Sequence, residues 1–188
     1  MKTETKAVLE TERLLLRPPE EGDKPAMIRL IGDERVSRWL SRVPHPYTQE
    51  HADEWIERNE NPDNPTTAFA ITLKATGEFM GTVGIHPEED GLRAEVGFWI
   101  GVPYWGHGYC TEAARAVLGF AFESLGFERI EAGHLPGNTA SANVQEKIGM
   151  RYEGTLRWGI SRFGVMHDKV LRAIIRPEWE ALRSSEGK

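Results

Sequence analysis

Short apolar runs separated by turn-forming residues dominate the middle of the chain. Residues 68–74, 79–85 and 94–100 are rich in β-branched and aromatic residues, which predicts three consecutive antiparallel strands. Thr76-Gly77 is expected to form the first turn between them, and residues 88–91 the second. An earlier apolar run at 13–17 predicts an opening strand that ends at Pro18.

Polar stretches with an apolar helical repeat surround these runs. Asp23 is a candidate helix cap with Pro25 in the first turn, and Thr48 is a second candidate cap. Pro44 and Pro46 exclude regular structure between those two segments because each lacks a backbone donor. Helices are therefore predicted over 23–30 (extended or restarted over 36–40), 48–60, 112–125 and 141–148.

The C-terminal third alternates strand and helix. Strands are predicted at 130–135, 152–158 and 165–174, with Pro177 ending the last. Early helices followed by a sheet and then by strand–helix–strand–helix predict an α+β, or mixed α/β, layered fold. The length of 188 residues suits a single domain over 1–188, with its core at about 11–174.

Composition narrows the class of protein. The net charge is −6 and the Lys and Arg residues are dispersed, which argues against nucleic-acid binding and weakly favours a cationic partner such as an amine. The single Cys excludes an internal disulfide framework. Residues 1–6 are polar, unlike a signal peptide, and no apolar run reaches about 20 residues. We expect a cytoplasmic protein with no membrane partner.

The most informative segment joins the predicted strand at 94–100 to the helix at 112–125. Four turn-forming residues fall within eight positions: Gly101, Pro103, Gly106 and Gly108. Thr111 is the predicted cap of the helix that follows. A helix that opens on a bare glycine turn directs free N–H groups and its positive dipole end at one spot. The segment therefore predicts a site for a phosphate-bearing cofactor.

Two familiar phosphate loops do not fit this segment. A P-loop needs Lys followed by Ser or Thr after its last glycine, whereas Tyr109-Cys110 follows Gly108. The dinucleotide fingerprint needs three glycines in a fixed register, which Gly101, Gly106 and Gly108 do not match. The pyrophosphate loop of acetyl-coenzyme A enzymes is the third candidate for this segment.

Three segments resemble the GNAT superfamily of acetyltransferases. Residues 105–110, Trp-Gly-His-Gly-Tyr-Cys, are similar to its core loop, although Trp105 replaces the commoner Gln or Arg and Cys110 occupies the final small position. Residues 138–150 resemble the family's Asn-x-x-Ser…Glu-Lys-x-Gly-Phe segment, and residues 11–18 resemble the opening strand of the ribosomal-protein N-terminal (alanine/serine) acetyltransferase branch. The resemblance extends from about Thr11 to Arg172.

This resemblance implies a central mixed, mostly antiparallel, splayed β-sheet flanked by helices. It implies acetyl-CoA as acetyl donor without a metal, and a primary amine as acceptor, in first place a ribosomal-protein N-terminus. A small amine (an amino acid, polyamine or antibiotic) and a non-catalytic acyl-CoA-binding module are the alternatives, and a monomer or homodimer is expected. The implied cofactor-binding residues are Trp105, Gly106, His107, Gly108, Tyr109, Cys110, Thr111, Asn138 and Asn143.

Amine acetylation needs a base for the amine and a proton for the departing thiolate. Glu95, at the start of the strand before the loop, is the first candidate base, against a structural ion pair with Arg93 or with a neighbouring strand. Asp168 is the second, against a sheet-edge role. His134 could relay a proton, although a structural histidine is the commoner case. Ser141 is the candidate donor to the thiolate, against a helix cap.

The segment between the first two helices is the candidate acceptor site. Trp39, His45 and Tyr47 lie there and are predicted substrate-binding residues, against simple packing. Cys110 is interpreted as a small loop residue rather than a nucleophile, because no His and acid pair accompanies it.

Overall fold

The computed structural model describes residues 7–186, so the polar segment 1–6 lies outside the described residues. The eight strands are β1 (Leu9–Glu10), β2 (Leu14–Arg17), β3 (Thr67–Leu73), β4 (Phe79–Pro87), β5 (Arg93–Ile100), β6 (Arg129–His134), β7 (Arg151–Arg162) and β8 (Val165–Ile175). The six α-helices are α1 (Lys24–Ile31), α2 (Glu34–Ser37), α3 (Gln49–Glu60), α4 (Tyr109–Glu123), α5 (Thr139–Lys147) and α6 (Arg176–Glu186). Among these helices none is long and apolar enough to cross a bilayer.

All eight strands form one sheet in the order β1-β2-β3-β4-β5-β6-β8-β7. Every neighbouring pair is antiparallel except β5 and β6, which are parallel because α4 crosses over between them. The mixed, mostly antiparallel sheet flanked by helices that the sequence predicts is confirmed.

The sheet is splayed at its centre. β5 and β6 pair at three positions, Arg93 with Arg129, Ala94 with Ile130 and Glu95 with Glu131. Beyond Glu95 these two strands share no further paired position, so a V-shaped gap opens towards their C-terminal ends. β5 leads from this gap to the glycine turn, and β6 leads to α5. Glu95 lies at the vertex.

Apolar side chains cover both faces of the sheet. On one face α4 packs Ala113, Val117 and Phe122 against strand residues such as Val96 and Ile130. On the other face α1 and α3 enclose a smaller cluster that contains Met27, Tyr47, Ala52 and Phe79, with Trp99 packed against it. Because strand side chains alternate between faces, Glu95 and Trp99 lie on the α1/α3 face, opposite Val96.

Two predicted boundaries are wrong, and one helix was not predicted. α4 begins at Tyr109 after a Gly108 cap, whereas the sequence interpretation made Thr111 the cap, so Thr111 lies within the first turn. β7 continues to Arg162, past the predicted end at 158. α6 was not predicted: Pro177 does end β8, but it occupies the first turn of a helix, where its missing N–H costs no hydrogen bond.

Candidate active site

The glycine turn presents backbone donors at the mouth of the gap. Gly106 has φ +79° and Gly108 has φ +80°, a left-handed conformation that side chains with a Cβ adopt poorly. Gly108 caps α4 without any side-chain cap, and its carbonyl accepts the first helical bond from the Glu112 N–H. The N–H groups of Tyr109 to Thr111 precede that bond, so they point out of the helix end together with its positive dipole.

The opening segment holds this turn in place. Arg13 donates through Nε to Glu112 Oε2 at 2.7 Å and through Nη1 to the His107 carbonyl at 3.0 Å. Thr11 Oγ1 donates to Glu112 Oε1 at 2.6 Å. Burial raises the pKa of Glu112, but these hydrogen bonds outweigh it and lower the pKa overall. Sequence analysis identifies Thr11 and Arg13 only as part of the opening strand, and it does not predict their contacts with the glycine turn and α4.

Four predicted cofactor residues line or brace the turn. Trp105 is 43% exposed, and its Nε1 donates to the Ile100 carbonyl at 2.8 Å, which fastens the turn to the end of β5. The rings of His107 and Tyr109 stack at 5.6 Å. Burial raises the pKa of the Cys110 thiol to about 12, which agrees with its interpretation as a small, unreactive loop residue.

Glu95 has two cationic partners at the vertex of the gap. Lys169 Nζ on β8 lies 2.9 Å from Glu95 Oε2, and Arg42 Nη2 lies 3.4 Å from the same carboxylate. Arg93, the ion-pair partner that the sequence suggested, is instead paired with Asp90 at 2.6 Å. The Arg93 partner is therefore wrong, because Asp90 in the preceding turn takes its guanidinium, whereas the alternative of a partner from another strand agrees with the Lys169 contact.

His86 is a site residue that the sequence analysis missed. It lies opposite Glu95 on β4, and its ring lies over Gly84 and Gly97, whose missing side chains leave room for it. Its Nδ1 lies 3.3 Å from Thr66 Oγ1. Burial and the charge of Arg42 lower the pKa of His86, despite the opposing effect of Glu95. Cross-strand pairing of β4 with β5 could have found it, since the predicted hairpin brings positions 86 and 95 together.

Asn138 and Ser141 lie at the start of α5, the helix that follows β6. Asn138 Oδ1 caps α5 by accepting from the Ser141 N–H at 3.1 Å. Ser141 Oγ accepts from Gln145 Nε2 at 3.1 Å, and Gln145 Oε1 lies 3.1 Å from His134 Nδ1. Asn143 is exposed on the same helix. The side-chain cap at the start of α5 is therefore Asn138, and the Ser141 hydroxyl is a hydrogen-bond partner of Gln145.

Asp168 is not brought to this site. Its Oδ1 accepts from the Trp158 N–H at 2.9 Å, where β7 bulges against β8. Because successive side chains of a strand alternate, Asp168 lies on the opposite face of β8 from Lys169 and hence from Glu95. These contacts favour the sheet-stabilising interpretation of Asp168.

The candidate acceptor residues are dispersed around a cavity between α1, α3 and the sheet. This cavity has a volume of about 130 Å³ and is lined by Met27, Ile31, Arg42, Val43, Pro44, Tyr47, His51, Glu54, Trp55, Arg58, Thr82 and Trp99. Tyr47 is 8% exposed and also belongs to the core, and burial raises its pKa to about 12. Trp39 lies instead beside Gly137, at the turn before α5. His45 is exposed and is not part of the lining.

Comparison with known proteins gives the same picture. The uncharacterized protein YkkB of Bacillus subtilis is 36% identical over 165 residues, which cover 84% of this chain and 91% of YkkB. YdaF of the same organism, provisionally named a ribosomal N-acetyltransferase, is 29% identical and covers 90% of this chain and 93% of its own length. The structure of Mycobacterium smegmatis RimJ with CoA-disulfide aligns with a TM-score of 0.77 at 26% identity, over 92% of this chain and 89% of RimJ.

A family model defines the match more closely. The model described as "Acetyltransferase (GNAT) domain" matches residues 13–151, a span that includes the glycine turn, the splayed strand pair and Ser141. The chain belongs to the GNAT acetyltransferase family.

Proposed function

We propose that this acetyl-CoA-dependent N-acetyltransferase acts on the N-terminal α-amine of a protein, with a ribosomal protein as the first candidate. The name of YdaF supports this acceptor, and YdaF covers nearly the whole chain. The observation that carries the proposal is the cavity between α1, α3 and the sheet: Arg42 lines it and also contacts the Glu95 carboxylate. An acceptor in that cavity would have its amine next to the vertex of the gap.

The acetyl donor is assigned to the gap and the glycine turn. A Cβ added at Gly106 would meet no atom within 4 Å, so the space above the turn is open. In our proposal the backbone from Gly106 to Thr111 holds the pyrophosphate, with Trp105, His107 and Tyr109 at its borders. Asn138 and Asn143 would contact the pantetheine arm from α5. When bound, acetyl-CoA supplies the thioester whose carbonyl carbon is attacked.

The transfer requires two proton movements. The amine nitrogen attacks the thioester carbonyl, a C–N bond forms, and the C–S bond breaks to leave a thiolate. In our proposal Glu95 accepts the proton that the amine loses, directly or through one water. Ser141 donates its hydroxyl proton to the thiolate and regains one from solvent, and Glu95 releases to solvent the proton that it accepted. A neutral amine and a thioester thus give an amide and a free thiol, with no net change in protons.

The volume of the cavity limits the size of the acceptor group that can enter it. A cavity of about 130 Å³ is comparable to engineered cavities that hold a benzene-sized group, so it suits one amino-acid side chain. An extended N-terminus could place its first side chain there, near Tyr47. Glu54 and Arg58 give the lining both charges, which would also admit a small amine that carries a carboxylate.

Thiol release from acetyl-CoA measures the acceptor preference. The panel contains peptides that begin with Ala or Ser, the same peptides with a blocked N-terminus, free amino acids and polyamines. We expect kcat/KM for the free peptides to exceed that for any small amine at least about 10-fold, and the blocked peptides to be inert. A small amine that surpasses every peptide would overturn the proposed acceptor and leave the acetyltransferase activity intact.

A further inference from the structure

Helix α5 buries a polar side chain where an apolar one would be expected. Of its nine residues, all of them described, Gln145 alone is buried, with 1% of its surface exposed. Burying an amide in a protein core costs free energy unless each polar atom finds a partner. Gln145 has both partners: its Nε2 faces Ser141 Oγ and its Oε1 faces His134 Nδ1, each at 3.1 Å.

The direction of these hydrogen bonds follows from His134. This histidine is 8% exposed, and burial together with the charge of Arg172 lowers its pKa, against the opposing effect of Gln145. The ring is therefore neutral near pH 7 and carries one hydrogen. Gln145 Oε1 can only accept, so that hydrogen lies on Nδ1. The amide of Gln145 then presents an N–H to Ser141.

A hydroxyl that accepts a hydrogen bond from an amide N–H cannot also donate one to that nitrogen. Ser141 Oγ must direct its proton elsewhere, and the helix carbonyls behind it and the gap in front of it are the remaining directions. The Ser141 N–H donates to Asn138 Oδ1, and this helix-capping hydrogen bond fixes the backbone of the first turn of α5. The hydroxyl thus has a fixed oxygen and a proton free to be donated.

We propose that Gln145 is a positioning residue that holds the Ser141 hydroxyl as a proton donor, with His134 holding Gln145 in turn. The inference rests on the proposed role of Ser141 as the acid for the thiolate. It explains why a costly amide occupies the buried side of α5, and it gives His134 a supporting function in place of the proton relay considered from the sequence.

Gln145→Glu tests this arrangement with little change in volume. When protonated, the introduced side chain can accept a hydrogen bond from His134 and donate one to Ser141, as the native amide does. Its ionised carboxylate can only accept, so the Ser141 hydroxyl would donate its hydrogen bond to this carboxylate instead of to the thiolate. His134 faces this position through its Nδ1, and the charge of Arg172 acts on His134. We expect kcat relative to wild type to be near unity at low pH and to fall about 10-fold or more as pH rises, with an unchanged KM for acetyl-CoA. A pH-independent ratio in the folded variant would overturn the proposal.

Two further variants separate this role from simple packing. Gln145→Leu should lower kcat about 10-fold at every pH, and in a Ser141→Ala background neither Gln145 substitution should have any further effect. Glu146→Gln, on the exposed neighbouring position, is the matched control and should behave as wild type. An effect of Gln145→Leu that persists without the Ser141 hydroxyl would overturn the proposal.

These measurements use whichever amine the wild type acetylates, so a wrong N-terminal acceptor does not affect them. A Ser141→Ala enzyme with full kcat would refute the proposal that Ser141 donates a proton to the thiolate. A slow Ser141→Ala enzyme beside a fully active Gln145→Leu enzyme would refute only the positioning role of Gln145.

Discussion

Lys169 reaches Glu95 across an intervening strand. Its Nζ lies 2.9 Å from Glu95 Oε2, and its side chain passes over Gly133 on β6, where an added Cβ would lie only 1.9 Å from Lys169 Cε. Both side chains are largely buried, with 13% of Lys169 and 17% of Glu95 exposed. The carboxylate at the vertex of the gap is therefore fixed in position by a cation from β8.

Glu95→Gln separates proton acceptance from pairing. The amide keeps the shape of the side chain but is a very weak base, so we expect kcat to fall by about 10²-fold or more. The pH profile of kcat/KM should also change, because Gln cannot accept the proton of the amine. Measuring kcat/KM across pH, with Tm alongside, checks both. A folded variant with an unchanged profile would transfer the role of base to His86 or to water.

Gly133→Ala is the matched variant that disturbs the pairing and keeps the carboxylate. The new methyl group would displace the Lys169 stem, and the loss of a charge-assisted hydrogen bond should lower the free energy of unfolding by about 2 kcal/mol. We expect the pH profile of kcat/KM to keep its wild-type shape, since Glu95 is still present. Urea denaturation and the pH profile of kcat/KM measure the two effects. An unaltered free energy of unfolding would show that the ion pair contributes nothing.

Gly108→Val tests the phosphate turn. Gly108 has φ +80°, so valine would be strained there and its side chain would crowd the backbone donors of α4. We expect the Kd for acetyl-CoA to rise at least about 10-fold, measured by calorimetry on the folded variant. Gly77→Val is the control, because Gly77 has a similar φ of +74° in the turn between β3 and β4. If the affinity for acetyl-CoA falls equally in both variants, backbone strain alone would explain the loss.

Glu112 makes the anchoring of the turn sensitive to acid. Hydrogen bonds from Thr11 and Arg13 outweigh burial and lower its pKa from 4.5, so the stabilisation is present above the unfolded pKa and is lost as pH falls through the folded pKa. Glu112→Gln should cost about 1 kcal/mol at pH 7, a modest value because Arg13 is partly exposed. The difference from wild type should shrink below about pH 4. Denaturant curves at several pH values measure it, and a constant difference would contradict it.

Local patterns predict the strands, the glycine turn and the cap region of α5, because each depends on neighbouring residues. The α4 boundary was misplaced because Gly108, in its left-handed conformation, ends the turn and caps the helix, whereas Thr111 has the more typical cap chemistry. α6 was missed because Pro177 indicates both a strand end and a helix start.

Contacts between distant segments could not be predicted from spacing. Arg13 meets Glu112 and Lys169 meets Glu95 only because the sheet brings β2 beside α4 and β8 within reach of β5. The resemblance indicated Ser141 and Glu95 as functional residues, but it contained no information about Gln145 or Lys169. The supporting residues around a site depend on tertiary packing, which a single sequence does not reveal.

The most direct test of the account uses one peptide with two amines. A peptide that begins with Ala or Ser and carries an internal Lys is incubated with acetyl-CoA and the enzyme, and fragment masses locate the added acetyl group. The account predicts one acetyl group, on the N-terminal nitrogen, and slower acetylation by Gly108→Val at sub-saturating acetyl-CoA. Acetylation of the Lys side chain instead, or an unmodified peptide under conditions in which a small amine is acetylated, would contradict it.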